Sequence, residues 1–169
     1  MSKNKTTIVA EPGKQEAFII REFEAPRELV YKAFTDPKLL PRWLGPCDMK
    51  TKIDVLEPGD GGRWRFIHTT KDGHEFGFHG VCHEATAPER LIRTFEFEGL
   101  PERGHVVLET AIFEILPGDR TKVTIQSVFR SVQDRDGMIM SGMEKGVVES
   151  HEKLDELFEK ELAAAVSKQ

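Results

Sequence analysis

The sequence has little with which to cross-link itself, enter a membrane or hold a polyanion. Its two cysteines, Cys47 and Cys82, have neither CxxC nor zinc-ligand spacing, and without a secretory leader they read as reduced thiols rather than a structural disulfide. No apolar run approaches the roughly 20 residues that span a bilayer, and Met1 to Lys5 leads into no signal-peptide core. No membrane insertion and a cytoplasmic location are therefore expected. Basic residues are not in excess: 24 Lys and Arg stand against 29 Asp and Glu, for a net charge of −5. A nucleic-acid partner is disfavoured, because phosphates need a basic patch. What is present is 38% hydrophobic residues, eleven Phe and 31% charged residues, enough for one soluble domain with one core.

Motifs for cofactor or metal chemistry are also missing. Gly59-Asp60-Gly61-Gly62 lacks the Lys-Ser/Thr of a phosphate loop and lies between strands, so it reads as a turn. Asp134-Arg135-Asp136-Gly137 has Met138 where a calcium ligand belongs and no closing Glu. His68, His74, His79, His83 and His105 form no tight cluster. His79 and His83 share a strand face, yet their Cβ atoms lie about 13 Å apart at ~3.3 Å per residue, too far for one zinc. No nucleophile elbow is present. Neither cofactor nor metal is expected.

Periodicity supplies the architecture. Gln15 to Ala25 alternates as a strand and ends at Pro26, which suits a helix start. Leu29, Val30, Ala33 and Phe34 follow at helical spacing until Asp36-Pro37, and a second short helix is expected over Lys38 to Leu44. Thr6 to Ala10 is an additional candidate strand. From Met49 to Arg130, turn signals at 57–62, 71–73, 87–89, 98–101 and 117–119 divide the chain into six meandering strands. Alternation places Trp64, Phe66 and His68 on the core side, with Phe76, Phe78, Gly80 and Cys82. Leu91, Arg93, Phe95 and Phe97 join them, as do Val107, Glu109, Ala111 and Phe113, then Val123, Ile125, Ser127 and Phe129. After Ser131 an unbroken helix is expected to about Ala165, with Met140, Met143, Val147, His151, Leu154 and Phe158 on one apolar stripe. Beside it Gly142, Gly146 and Ser150 recur every four residues, either to admit a close neighbour or to keep a cavity open.

In a hairpin centred near Pro101, Arg93 falls opposite Glu109, both pointing inward. Two readings stand: the pair orients a ligand's polar group in an apolar cavity, or it is an internal ion pair that satisfies itself. His151 is the best general acid or base candidate, and a hydrogen-bonded core histidine is the plainer alternative. Trp43 and Trp64 either line the cavity or fill the core.

The run Phe23-Glu24-Ala25-Pro26-Arg27-Glu28-Leu29-Val30-Tyr31-Lys32-Ala33-Phe34-Thr35-Asp36-Pro37, followed by Leu40-Pro41-Arg42-Trp43-Leu44-Gly45-Pro46, resembles the opening signature of the activator of heat-shock-protein-ninety ATPase homologue family, within the SRPBCC or START-like superfamily. Gly61-Gly62-Arg63-Trp64-Arg65-Phe66, Phe78-His79-Gly80, Pro88-Glu89-Arg90-Leu91, Phe95-Glu96-Phe97-Glu98 and the stretch from Asp136-Gly137-Met138 to Leu157 extend the resemblance over roughly residues 15 to 160. It implies a single domain spanning residues 1–169 with an α+β helix-grip fold like that of the birch pollen allergen. About seven antiparallel strands would wrap around a long C-terminal helix, with two short helices closing one end. Fold does not fix function, and superfamily relatives bind lipids, sterols, polyketides or plant hormones, while some are cyclases or dehydratases. The favoured expectation is a non-catalytic binder of a small apolar or aromatic molecule, with a closed cavity of a few hundred Å³. Its expected lining is Trp43, Trp64, Phe66, Phe78, Arg93, Phe95, Glu109, Phe113, Met140, Met143, Val147 and His151. The alternatives are a protein-interaction module accessory to a chaperone, and a cyclase, dehydratase or hydrolase in which Arg93, Glu109 and His151 converge. A monomer or weak homodimer is expected.

Overall fold

The alternating segment after Gln15 forms a strand, and the chain builds outward from it. The computed structural model describes residues 3–169. Among the described residues there are eight strands: β1 (Thr7–Val9), β2 (Glu16–Phe23), β3 (Lys50–Leu56), β4 (Arg63–Thr69), β5 (Glu75–Thr86), β6 (Arg90–Phe97), β7 (Val107–Leu116) and β8 (Arg120–Val128). They make one antiparallel sheet in the order β1-β2-β8-β7-β6-β5-β4-β3. The candidate strand near Thr6 is real: β1 pairs with β2 from Thr7↔Ile20 to Val9↔Phe18 and brings the total to eight.

Pro26, in extended conformation, caps α1 (Arg27–Thr35), which buries Val30, Tyr31, Ala33 and Phe34. The second short helix shrinks to a 3-10 turn, Leu40–Arg42, because Pro37 and Pro41 leave too few amide donors for a longer ladder. The alternation in β4 holds. Trp64, Phe66 and His68 are buried, whereas Arg63 pairs with Glu57 and Arg65 with Asp54 and Glu98 on the outer face. Phe76 is a correction: at the margin of the sheet it is exposed and touches Phe97. In β5 the register shifts between Cys82 and Glu84; such a bulge re-aims the following side chains, so Cys82 and Ala85 both face the core. Gly80 must be glycine, since a Cβ there would stand 1.9 Å from the Thr94 carbonyl oxygen.

The expected unbroken C-terminal helix is two helices, α2 (Val132–Met140) and α3 (Met143–Ser167). Gly142 breaks it by adopting φ +83°, the left-handed conformation in which helices commonly stop and which glycine reaches without a Cβ penalty. Ser131 caps α2, accepting a hydrogen bond from the Asp134 amide at 3.0 Å. Met140 therefore ends α2 instead of facing the strands, and its side chain is 85% exposed. The small-residue row beside the stripe seats a loop: Ser150 Oγ accepts from the Gly45 amide at 3.0 Å, and Pro46 lies over Gly146. The close-neighbour reading of that row applies.

The apolar interior is divided. One cluster joins Phe23, Phe34, Phe113, Leu154 and Phe158 among others. A smaller one joins Ala17, Val107 and Phe129, with Phe95 and the α2 residues Met138 and Ile139 against it. Arg21 of β2, 2% exposed, ties the sheet to α3. Its guanidinium donates to Asp155 through Nη2 to Oδ2 at 2.6 Å and Nη1 to Oδ1 at 3.2 Å.

Candidate functional site

Arg93 and Glu109 are register partners across β6 and β7, and both reach the inner face. Together with Phe34, Leu91, Ala111 and Ile125 they line a cavity of about 20 Å³. That is room for about one water, a correction to the closed cavity of a few hundred Å³. The reason is α1: Tyr31 and Phe34 meet Phe113 edge-to-face at 5.2 and 5.4 Å and fill the interior from that end.

Elsewhere burial on the inner face is uneven. The accessible surface is 10100 Å², against roughly 8,400 Å² for a compact monomer of this mass. Phe78, Arg93, Phe95, Met143 and Val147 are only half-buried. Aromatic rings pack in a row along the inner face of β4–β6, with centroid separations of 5.3 Å for Trp64–Phe66, 5.1 Å for Phe66–Phe78 and 5.4 Å for Phe78–Phe95.

The expected Arg93–Glu109 ion pair does not close. The Arg93 guanidinium lies over the Trp64 ring at 4.8 Å from its centroid and forms no ion pair among the described residues. A cation on an aromatic face gains on the order of 1 kcal/mol and keeps its N–H donors in the plane free for another group. Glu109 is packed round by protein while part of its surface opens on the cavity. Burial pushes its carboxyl above the ordinary carboxylate range, and the Arg93 charge works in the opposite direction. Its carboxyl makes no hydrogen bond among the described residues.

The folded state thus holds the Glu109 proton more tightly than the unfolded chain does, and stability falls as pH rises from the ordinary carboxylate range through the raised value. Glu109→Gln is expected to raise Tm by about 3 °C at pH 8 and to leave it unchanged near pH 4. Thermal denaturation at the two pH values checks this.

Other candidates lie apart from Arg93 and Glu109. Trp43 Nε1 donates to the Ala33 carbonyl at 2.9 Å and its ring packs on Phe34. Phe113 is fully enclosed in the main cluster. His151 Nδ1 stands 2.7 Å from the Thr6 hydroxyl, and its ring meets Phe23 edge-on at 5.5 Å. Burial first, then the nearby Arg21 charge, lower its pKa to about 3. It is a hydrogen-bonded core histidine on the β1–β2 side and does not line the cavity at Arg93 and Glu109. The three acid–base candidates therefore do not converge.

His68 carries no site signal in the sequence beyond its alternation with Trp64 and Phe66 on the core side of β4. It is buried against Phe66 and Phe78 at 5.0 and 5.2 Å, and its Nδ1 lies 2.8 Å from the Thr51 hydroxyl. Among the described residues no three His, Cys, Asp or Glu side chains come together as a metal site. Cys47 is exposed and Cys82 buried, and both are free thiols.

A curved antiparallel sheet gripping a long C-terminal helix defines the START-like helix-grip class. Within it, the chain belongs to the family described as Activator of Hsp90 ATPase homolog 1-like protein, whose profile matches residues 24–159. A protein from Rhodobacter sphaeroides aligns with TM-score 0.82 and 28% identity, over 95% of this chain and 99% of that one. One from Arthrobacter aurescens aligns with TM-score 0.81 and 26% identity, over 91% of each chain. An HSP90 activator from Plasmodium falciparum shares the fold alone, with TM-score 0.50 and 20% identity over 68% of this chain and 72% of that one. No curated protein matches the chain. Among the described residues no helix is long and apolar enough to cross a membrane.

Proposed function

We propose that the protein, acting in the cytoplasm as a single domain, binds a small hydrophobic or aromatic molecule without transforming it. The ligand lies between β4–β6 and α3, where Phe78, Arg93, Phe95, Met143 and Val147 are only half-buried. The carrying observation is Arg93: a guanidinium stacked on Trp64, in an apolar lining, with no carboxylate paired to it among the described residues. Binding sites combine apolar walls with a few polar groups whose bonding capacity awaits the ligand, and Arg93 with Glu109 supplies that combination. Native mass spectrometry of freshly purified protein, paired with titration by the neutral dye Nile red, tests the reading. A saturable complex is expected, with Tm rising as ligand exceeds Kd. Absence of both a co-purified mass and dye binding rejects it.

A second reading, contact with a chaperone or other protein, is favoured by the outer face of the sheet. Leu108 and Val128 are cross-strand partners there and are exposed, as is Ile112, and exposed apolar patches mark interaction surfaces. The family and its HSP90 activator neighbour point the same way. The two readings use opposite faces of one sheet, so Lys at Leu108 and Ile112 separates them: it removes a protein partner and leaves Nile red binding unchanged.

A further inference from the structure

The short helix α2 is weakly built, and one of its attachments titrates. Gly137 stands in its interior, where a Cβ would meet nothing within 4 Å. Packing does not require that glycine, so it simply weakens the helix relative to Ala. Gly142, at φ +83°, is equally uncrowded, and it joins α2 to α3 by a bend in place of a continuous helical ladder. Beneath α2 lies the smaller apolar cluster of Ala17, Val107 and Phe129, against which Met138 and Ile139 pack.

Among the described residues two side chains fasten α2 to its surroundings. Arg135, 3% exposed, donates to the carbonyls of Glu11 and Glu16, which flank the β1–β2 turn. A guanidinium keeps its charge at every working pH, so this attachment does not titrate. The other is His105, in the loop between β6 and β7, whose Nδ1 stands 2.8 Å from Asp134 Oδ2. Asp134 lies in the first turn of α2, where the helix dipole also favours a negative charge. Three charged groups face the imidazole: Asp134 from α2, Glu102 from its own loop with Oε2 3.7 Å from Nε2, and Arg130 from the segment after β8. The hydrogen bond to Asp134 raises the His105 pKa above its ordinary 6.5; both carboxylate charges assist, while desolvation and Arg130 oppose.

That raised value belongs to the closed arrangement, and an α2 that has lifted away returns His105 to its ordinary value. Protonation therefore favours closure. The contact is at full strength below pH 6.5 and weakens as pH rises through the raised value. A neutral ring can still donate to Asp134, but the charge that roughly doubles such a bond is gone. We propose that α2 is a pH-responsive flap, hinged at Gly142 and clasped by His105 and Asp134 over the cluster of Ala17, Val107 and Phe129, that lifts more often as the medium turns alkaline. This goes beyond the ligand-binding and protein-contact readings and depends on neither.

The test is amide exchange of the whole chain, followed by NMR from pH 6 to 8.5 and corrected for intrinsic rates. The open fraction of α2, read from amides 136–140, is expected to rise about threefold or more, with a midpoint that coincides with the His105 imidazole titration measured on the same sample. His105→Gln should flatten this rise and leave the pH response of the β7 and β8 amides as in the wild type. Gly137→Ala should lower the open fraction about fivefold at every pH without moving the midpoint. An α2 open fraction that is constant with pH in the wild type overturns the proposal, as does a midpoint apart from that of His105 or a rise that survives His105→Gln. The coincidence of midpoints in the wild type decides the matter even if a variant folds poorly.

Discussion

Asp155→Ala is expected to lower stability by about 3 kcal/mol or more, seen as a Tm about 10 °C lower. Asp155 is the carboxylate that neutralises Arg21, which is 2% exposed in the sheet, and both of its oxygens are engaged at 2.6 and 3.2 Å. Removing it leaves the buried guanidinium, 5.0 Å from the Phe23 ring centroid, with its Nη1 still donating to the Glu22 carbonyl at 2.7 Å but without the Asp155 carboxylate opposite its charge, and breaking a buried pair by removing one member costs far more than the pair itself contributes. A double variant, Arg21→Met with Asp155→Leu, removes both charges at similar volume and should regain most of the loss. If Asp155→Ala melts within 2 °C of the wild type, the pair is not what fastens α3 to β2.

Acidification from pH 6.5 toward pH 4 is expected to produce the second large effect. His68 and His151 have an ordinary pKa of 6.5 when the chain is unfolded and are held near 4 and 3 in the fold. The unfolded chain therefore binds the protons first. Stability from both groups is complete above pH 6.5 and is lost as pH falls through the window down to the folded values. At 1.36 kcal/mol per unit, each loses on the order of 3 kcal/mol by pH 4. Urea unfolding at pH 7, 5.5 and 4.5 should show stability falling with a slope approaching two protons. His151→Gln should reduce that slope to one. Glu109, raised where the histidines are lowered, opposes the trend over its own window, so the Glu109→Gln background sharpens the measurement.

The strands were legible because their alternation runs uninterrupted through turns that announce themselves. Arg93 opposite Glu109 followed from hairpin register alone, and the register is as expected. Whether the two charges would meet was not legible, because that depends on Trp64, a residue of β4 two strands removed, offering Arg93 a ring instead. The break at Gly142 was hidden by its company: a glycine in a regular row with Gly146 and Ser150 looks like packing, and only the backbone reveals φ +83°. His68 needed Thr51, in β3, to supply its hydrogen-bond partner. Arg21 and Asp155 are 134 residues apart, and no local pattern connects them. Residues whose roles are set by their own strand were readable; those set by a partner from another element were not.

The place of β2 in the sheet has a consequence for how the molecule is made. Its neighbour is the last strand, β8, and Glu16 accepts a hydrogen bond from Gln126, 110 residues further along. The six-strand meander can assemble by successive local hairpins as the chain emerges, but the seam between β2 and β8 must wait until the meander is complete. Closing so long a loop is entropically costly, and folds that depend on such contacts are slow to form. Until then the unpaired edges of β2 and β8 stay open to other chains. The seam is thus both the last ladder to close and the interval of greatest exposure to aggregation.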